Sequence, residues 1–570
     1  MGYKEVYQLW KDYPELNADL RAELEAMTDE GEIEDRFYQD LEFGTGGMRG
    51  KIGAGINRMN VYIVAKATYG LGKYLLGADP KNAEKGVAIA FDSRNKSAEF
   101  AQTAARVLAA MGVQAYLFES LRPTPVLSFT VRHVGAAGGI VITASHNPKE
   151  YNGYKVYGPD GGQMVSPAAD ELVAEIEKID NYFDIPLANM QTAVEDGMIQ
   201  IIGREVDDAY AAAVEKVVKA NPGSDLKVIY TPIHGSGNVP VRRVLDDLGY
   251  KNVTVVAEQE QPDGNFPTVS YPNPEERSVF NIAMEMPEAR DVDIIIGTDP
   301  DCDRVGVVGR NAEGEFVVFT GNQTGALLVD YFLKTRKTRT ELPDNKVVIK
   351  TIVTSELGGI VAKSHGAEVV DVLTGFKYIG EHMTEYEATG EKTFAFGYEE
   401  SYGYLAGNYA RDKDAVLASA LVCEMADYYK KQGMTLYDAL EGLYQKFGYF
   451  IEGIQSMTLE GIEGKKQIEN IMEKFRANHF DAFADEKLVT YNDYQSKESL
   501  DLASGEKSAI DLPKSNVLKF VFNENSWYAL RPSGTEPKLK VYYSVTGKSR
   551  EGAEEKMEIL RKAVNEIIEA

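Results

Sequence analysis

Short, continuous apolar runs recur along the chain, each followed by a polar loop and then by apolar residues spaced every three or four positions. The first run, Val87-Ala-Ile-Ala-Phe91, reads as a strand buried on both faces. It meets Asp92-Ser93-Arg94. Phe100, Ala104, Val107, Leu108 and Met111 then fall on one face of a helix that Gly112 ends. A second strand is expected near 115–118. A third, Gly139-Ile-Val-Ile142, runs into Thr143-Ala-Ser-His-Asn-Pro148. The order returns downstream. Lys227-Val-Ile-Tyr230 precedes the loop Thr231-Pro-Ile-His-Gly-Ser236, a helix that stops at Gly249 and a strand at 253–256. Val292-Asp-Ile-Ile-Ile296 then ends in Gly297-Thr-Asp-Pro-Asp-Cys-Asp-Arg304. A third copy starts at Lys346-Val-Val-Ile-Lys350, continues through a strand at 368–372, and closes with Thr393-Phe-Ala-Phe396 before Gly397-Tyr-Glu-Glu-Ser401. Strands alternating with helices imply parallel α/β units, and ligands of such sheets gather at the carboxyl ends of the strands. Three copies with polar loops in register predict three related domains whose loops could face one shared cleft.

The flanks differ. Residues 4–41 are charged with scattered Leu and Tyr and read as surface helix. From about residue 452 the pattern gives a helix, then Val517-Leu-Lys-Phe-Val-Phe522, Trp527-Tyr-Ala-Leu530 and Leu539-Lys-Val-Tyr-Tyr543, then a charged helix over 550–570. This predicts a small α+β domain with antiparallel strands. The expected division is 1–206 (a helical extension plus a first α/β domain), 207–319, 320–448 and 449–570. A length of 570 residues agrees with several domains.

Bulk properties narrow the partners. A net charge of −27 argues against a nucleic-acid backbone. It also means that an anionic substrate would need positive charge gathered locally against the overall field. No apolar run reaches the roughly 18 residues of a membrane span, and the first residues lack the pattern of a secretion signal. Two cysteines, Cys302 and Cys423, make no disulfide framework, so a reducing cytoplasm is expected.

Four loops could carry chemistry. Asp299-Pro-Asp-Cys-Asp-Arg304 sets carboxylates at alternate positions between apolar runs, where they would repel unless a cation joined them. An incomplete oxygen set of this kind suits Mg²⁺. In Thr143-Ala-Ser-His-Asn-Pro148, Ser145 and His146 are adjacent, which is poor geometry for a serine–base pair. A cap or turn is one reading, and a serine that carries phosphate near a metal is another. Arg531-Pro-Ser-Gly-Thr-Glu-Pro537 is either a hairpin turn or a phosphate nest built on Arg531. Gly397-Tyr-Glu-Glu-Ser401 is either an exposed loop or a set of acceptors for sugar hydroxyls. Arg49, Arg94, Lys155, Lys377 and Arg411 are scattered cations that, taken singly, would be surface residues.

With Phe43-Gly-Thr-Gly-Gly-Met-Arg-Gly50, these loops as an ordered set resemble the α-D-phosphohexomutase superfamily, closest to its longer, bacterial-type phosphoglucomutase branch. The resemblance covers nearly the whole chain. It implies an α/β fold of three related α/β domains plus a C-terminal α+β domain around a central cleft. The implied activity is interconversion of glucose 1-phosphate and glucose 6-phosphate through a phosphoserine and a glucose 1,6-bisphosphate that also serves as activator. Ser145 would be the phosphorylated serine, with one Mg²⁺ per chain held by Asp299, Asp301, Asp303 and a phosphoserine oxygen. Arg49, Lys155 and His146 would lie beside the reacting serine. Arg304, Lys377, Glu399, Ser401, Arg531, Ser533, Gly534 and Thr535 would bind substrate. The same mechanism on mannose or pentose phosphates, or synthesis of the bisphosphate, are the alternatives. A phosphatase would release inorganic phosphate, and a non-catalytic sensor would lack residues that are all present here. Sugar phosphates are the expected partners of a cytoplasmic monomer or homodimer. Two departures stand out: Cys302 where the family has Gly or Ala, inviting oxidation beside the metal, and Gly46-Gly47 where many relatives have Ser-Gly.

Overall fold

Continuous apolar runs form strands because a sheet covered by helices on both faces gives polar side chains no exit. A computed structural model describes residues 2–44, 46–339, 342–459, 461–533 and 538–569. The chain forms two compact units. The first comprises Met1–Phe319, Phe376–Phe394 and Tyr402–Gly433; the second comprises Thr320–Gly375, Ala395–Ser401 and Met434–Ala570.

The first unit contains two of the three expected copies. In the first copy, Val87–Phe91 lies between the parallel strands Ala115–Phe118 and Gly138–Ile142, with Val87 opposite Gly138 and Phe91 opposite Ile142. Helix Ser97–Ala110 packs its Phe100–Leu108 face into the same core. Beyond Gly138–Ile142 the sheet turns antiparallel through Tyr151–Tyr157 and ends in Gly47–Lys51, which no apolar periodicity announced. That last strand approaches so closely that a Cβ on Gly47 (φ 150°) would sit 2.2 Å from the Tyr154 carbonyl oxygen. In the second copy, Val228–Thr231 runs parallel to both Val253–Val255 and Ile294–Thr298. Strands Val305–Arg310 and Phe316–Phe319 complete the sheet in antiparallel order.

Residues 4–41 do more than coat the surface. Helices Tyr3–Asp12, Ala18–Ala26 and Glu30–Phe37 enclose Trp10, Leu24 and Phe37 in a core shared with Ile56 and Tyr182, and the Trp10 indole donates to the Tyr182 hydroxyl at 2.7 Å. The isolated aromatics of this segment are its core, too sparse to give a periodic signal.

In the second unit, Lys346–Thr351 pairs in parallel with Glu368–Val372, as in the first two copies. The C-terminal part is an antiparallel sheet that includes Tyr449–Thr458, Lys538–Gly547, Trp527–Pro532, Leu518–Phe522 and Glu486–Asp493. Helices Gly461–Ala477 and Arg550–Glu569 cover it over a core containing Phe475, Phe520, Tyr528 and Leu560. Among the described residues no helix is long and apolar enough to cross a membrane.

Candidate active site

The loop after Ile294–Thr298 closes on itself. Asp299 Oδ1 accepts the backbone N–H groups of Asp303 and Arg304, both at 3.0 Å, and the Cys302 N–H reaches the Asp299 carbonyl at 2.9 Å. This curl turns Asp299, Asp301 and Asp303 inward. Each offers a carboxylate oxygen within 4.8 Å of the others, and all three are buried. Burial and the neighbouring carboxylates Asp301 and Asp303 push the Asp299 carboxyl well above the ordinary range. Burial also acts against ionised Asp301, but Lys155, Asp299 and Lys413 together outweigh it and hold that carboxyl low. Asp301 Oδ1 and Asp303 Oδ1 accept no hydrogen bond, although both are buried. Buried carboxylate oxygens without hydrogen bonds, on three aspartates that each offer an oxygen within 4.8 Å of the others, are what a hard divalent cation such as Mg²⁺ takes as ligands, so the residues fit such an ion.

Ser145 meets this loop directly. Its Oγ donates to Asp299 Oδ2 at 2.8 Å and lies 3.1 Å from His146 Nδ1. The Ser145 backbone is left-handed (φ 50°), a conformation that a serine holds only where its surroundings impose it. The imposition is visible. Thr143 Oγ1 accepts the Ser145 N–H and donates to Asp92. The buried Arg94 guanidinium donates to the carbonyls of Ser145, Asn147, Pro148 and Tyr151. Asp92 in turn accepts the Arg94 backbone N–H and the Ser97 hydroxyl. The Asp92-Ser93-Arg94 loop of one strand therefore shapes the serine loop of the next.

Some of the sequence-predicted cations of the first unit gather here. The antiparallel strands Gly47–Lys51 and Tyr151–Tyr157 carry Arg49 and Lys155. Arg49 donates to Asn147 Oδ1 at 3.0 Å. The Lys155 amine sits 2.9 Å from Asp301 and 3.5 Å from Asp303. Burial works against the Lys155 ammonium, but the two aspartates keep its pKa above the usual lysine value. Arg304 pairs with Glu275 at 2.7 Å. Burial, then Arg304 and Arg49, push His146 well below the ordinary histidine value, so the imidazole is neutral at pH 7.

Lys413, which carried no sequence signal, reaches Asp303 at 2.8 Å. Arg411 is no surface cation: it is fully buried, paired with Glu387 and bonded to the Asn408 and Ala410 carbonyls. Lys377 lines a cavity of about 390 Å³ with residues including Tyr157, Gln163 and Glu381, and burial lowers its amine to about 8. Cys302 is fully buried, and burial pushes its thiol pKa far up; the expected oxidation sensitivity therefore has no structural support.

In the second unit, Glu399 Oε1 accepts the Gly375 N–H at 2.9 Å. Glu400 instead takes the hydroxyls of Thr351 and Thr354. Ser401 follows, half-buried. Arg531 donates to the Tyr542 hydroxyl at 3.1 Å and stands opposite Lys540, a second cation that the sequence pattern did not single out. Ser533 donates its N–H to the Lys538 carbonyl. Gly534 and Thr535 lie outside the described residues.

Models of the phosphoglucomutase/phosphomannomutase family match the chain four times: alpha/beta/alpha domains I, II and III at residues 40–183, 208–314 and 320–447, and the C-terminal domain at 485–562. A phosphoglucomutase of Staphylococcus epidermidis is 41% identical over 506 residues, 89% of this chain and 91% of the relative. One of Staphylococcus aureus is 40% identical over 516 residues, covering 90% and 91%. Among solved structures, the Paramecium phosphoglucomutase parafusin in its open form aligns with a TM-score of 0.68 at 17% identity, covering 93% of this chain and 95% of its own. A family protein from Burkholderia thailandensis aligns at 0.66 and 18%, covering 92% and 97%.

An Arg94→Lys substitution keeps the charge and loses the planar fork that holds four carbonyls. Turnover should fall about 100-fold through misplacement of Ser145, measured by steady-state kinetics on a variant whose folding is checked by circular dichroism. Unchanged turnover would show that the serine loop holds its shape without the fork.

Proposed function

The chain belongs to the phosphoglucomutase/phosphomannomutase family, and on that premise we propose that it interconverts glucose 1-phosphate and glucose 6-phosphate through a phosphoryl group carried on Ser145. The observation that carries this reading is the Ser145 hydroxyl 2.8 Å from Asp299, inside a buried carboxylate cluster with two oxygens lacking hydrogen-bond partners. Asp299, Asp301 and Asp303 would hold one Mg²⁺ together with a phosphoserine oxygen; when bound, the ion neutralises charge on the transferring phosphoryl group.

The chain's own residues do the rest. Arg94 fixes the serine loop. Lys155 and Arg49 stand ready to stabilise charge or move a proton as a sugar hydroxyl attacks the phosphoryl group. His146 is neutral, so its role is to orient the Ser145 oxygen. Arg304, Lys377, Glu399 and Ser401 would bind the sugar phosphate. Arg531, Ser533, Gly534 and Thr535 would hold the phosphate not being transferred. Ser145 gives its phosphoryl group to the monophosphate, the resulting 1,6-bisphosphate turns over, and the serine takes back the other phosphate. A supply of glucose 1,6-bisphosphate would restore any enzyme that has lost its phosphate. The four-domain division at 206, 319 and 448 belongs to this reading and is supported by the repeated strand order. So does action in the cytoplasm as a monomer or homodimer.

Glucose, mannose and ribose 1-phosphates assayed side by side, each with Mg²⁺ and its bisphosphate, should give isomerisation fastest with glucose, and Ser145→Ala should abolish it. Preference for another sugar would change the substrate and keep the mechanism. Full activity without the hydroxyl would remove the mechanism. A second outcome concerns pH. The Lys377 amine is charged below about 8 and neutral above it. If it binds substrate phosphate, kcat/KM should fall above that pH, and Lys377→Arg, which stays charged, should shift the fall upward. Identical alkaline limbs would take Lys377 out of the substrate site.

A further inference from the structure

The Asp299–Asp303 loop is held from outside at three successive carbonyls by three different segments. Pro300 O accepts the Ser236 N–H at 2.8 Å and the Ser236 hydroxyl at 2.9 Å. Asp301 O accepts the Thr124 N–H at 2.9 Å, and Cys302 O accepts the Ala415 N–H at 3.2 Å. One of these contacts reaches a carboxylate as well: Thr124 Oγ1 donates to Asp301 Oδ2 at 2.8 Å. Thr124 opens helix Thr124–Val134 of the first α/β copy, directly after Pro123, and is fully buried. Its hydroxyl and amide thus grip the side chain and the main chain of a single aspartate at once.

The consequence is an assignment of oxygens. Asp301 Oδ2 already has two donors, Thr124 and Lys155 at 2.9 Å. Oδ1 has none, although it is buried. A carboxylate with one oxygen saturated by a fixed donor presents the other in a set direction. Lys155 is long and flexible, whereas Thr124 is β-branched, sits at a helix start and cannot follow a moving carboxylate. We propose that Thr124 is a positioning residue that fixes the Asp301 carboxylate so that Oδ1 faces the cation, and that through it the first α/β copy sets the geometry of a site built on the second. This rests on the reading of Asp299, Asp301 and Asp303 as cation ligands.

Mn²⁺ titration followed by the electron paramagnetic resonance of the free ion reads affinity without turnover. Wild type should bind one ion and Asp301→Asn should not. Thr124→Val, which keeps shape and loses the hydroxyl, should bind about 10–100-fold more weakly, the range for loss of an outer-shell partner. Thr124→Ser should restore affinity to within about threefold of wild type, relative to that same range. If the valine variant does not fold, Thr124→Ala removes the same hydroxyl and carries the same expectation. Wild-type affinity in the variant lacking the hydroxyl, or equal loss in the serine variant, would overturn the assignment alone. No Mn²⁺ bound by wild type would overturn the cation reading and the assignment with it.

Discussion

Three buried carboxylates in one five-residue loop are the constraint on which the rest of the site depends. Two like charges about 4 Å apart repel by about 4 kcal/mol at an effective dielectric near 20. Three such pairs would rival the whole stability of a domain, about 5–15 kcal/mol. The loop meets that repulsion in two ways: Asp299 keeps its proton well above the ordinary carboxylate range, and positive charge gathers around Asp301 and Asp303. Lys155 and Lys413 supply part of it, from two different segments of the first unit. A cation on the two oxygens without hydrogen-bond partners would supply more. The surroundings follow from the same need. A strand brings Lys155 in, a second strand brings Arg49, and Arg94 fixes the serine loop where Ser145 can touch Asp299. The overall charge of −27 thus coexists with a local concentration of cations, as an anionic substrate requires.

The strand–helix order was legible because buried parallel strands are continuous apolar runs. Most of the motif loops were legible because they follow such a run. Val87–Phe91 and Glu368–Val372 begin and end where the pattern put them. Gly47–Lys51 was not legible: two of its five residues are Gly, and it is held by pairing with Tyr151–Tyr157 rather than by its own side chains. The N-terminal helices were underestimated for a related reason, since Trp10 and Phe37 bury themselves through tertiary contacts that have no local period.

Within the candidate site, sequence pattern alone pointed to the aspartates, and the family motif pointed to Ser145, Arg49 and Lys155. What it could not give was which polar residue supports which. Arg94 and Arg411 looked like lone surface cations, yet both are buried and serve carbonyls. Lys413 and Thr124 reach the aspartates from 110 or more positions away in sequence, and no spacing rule connects them. Local patterns encode what one segment can do. The directions of the carboxylate oxygens are set by partners from elsewhere in the chain.

Passage of the Ser145 phosphoryl group to sugar and back is open to direct measurement. Enzyme labelled with radioactive phosphate on Ser145, freed of excess donor and mixed with unlabelled glucose 1-phosphate and Mg²⁺ for a single turnover, answers this directly. Label is expected to leave the protein for glucose 1,6-bisphosphate and glucose 6-phosphate, with no inorganic phosphate formed. Label that stays on the protein, or that appears as inorganic phosphate, would contradict it.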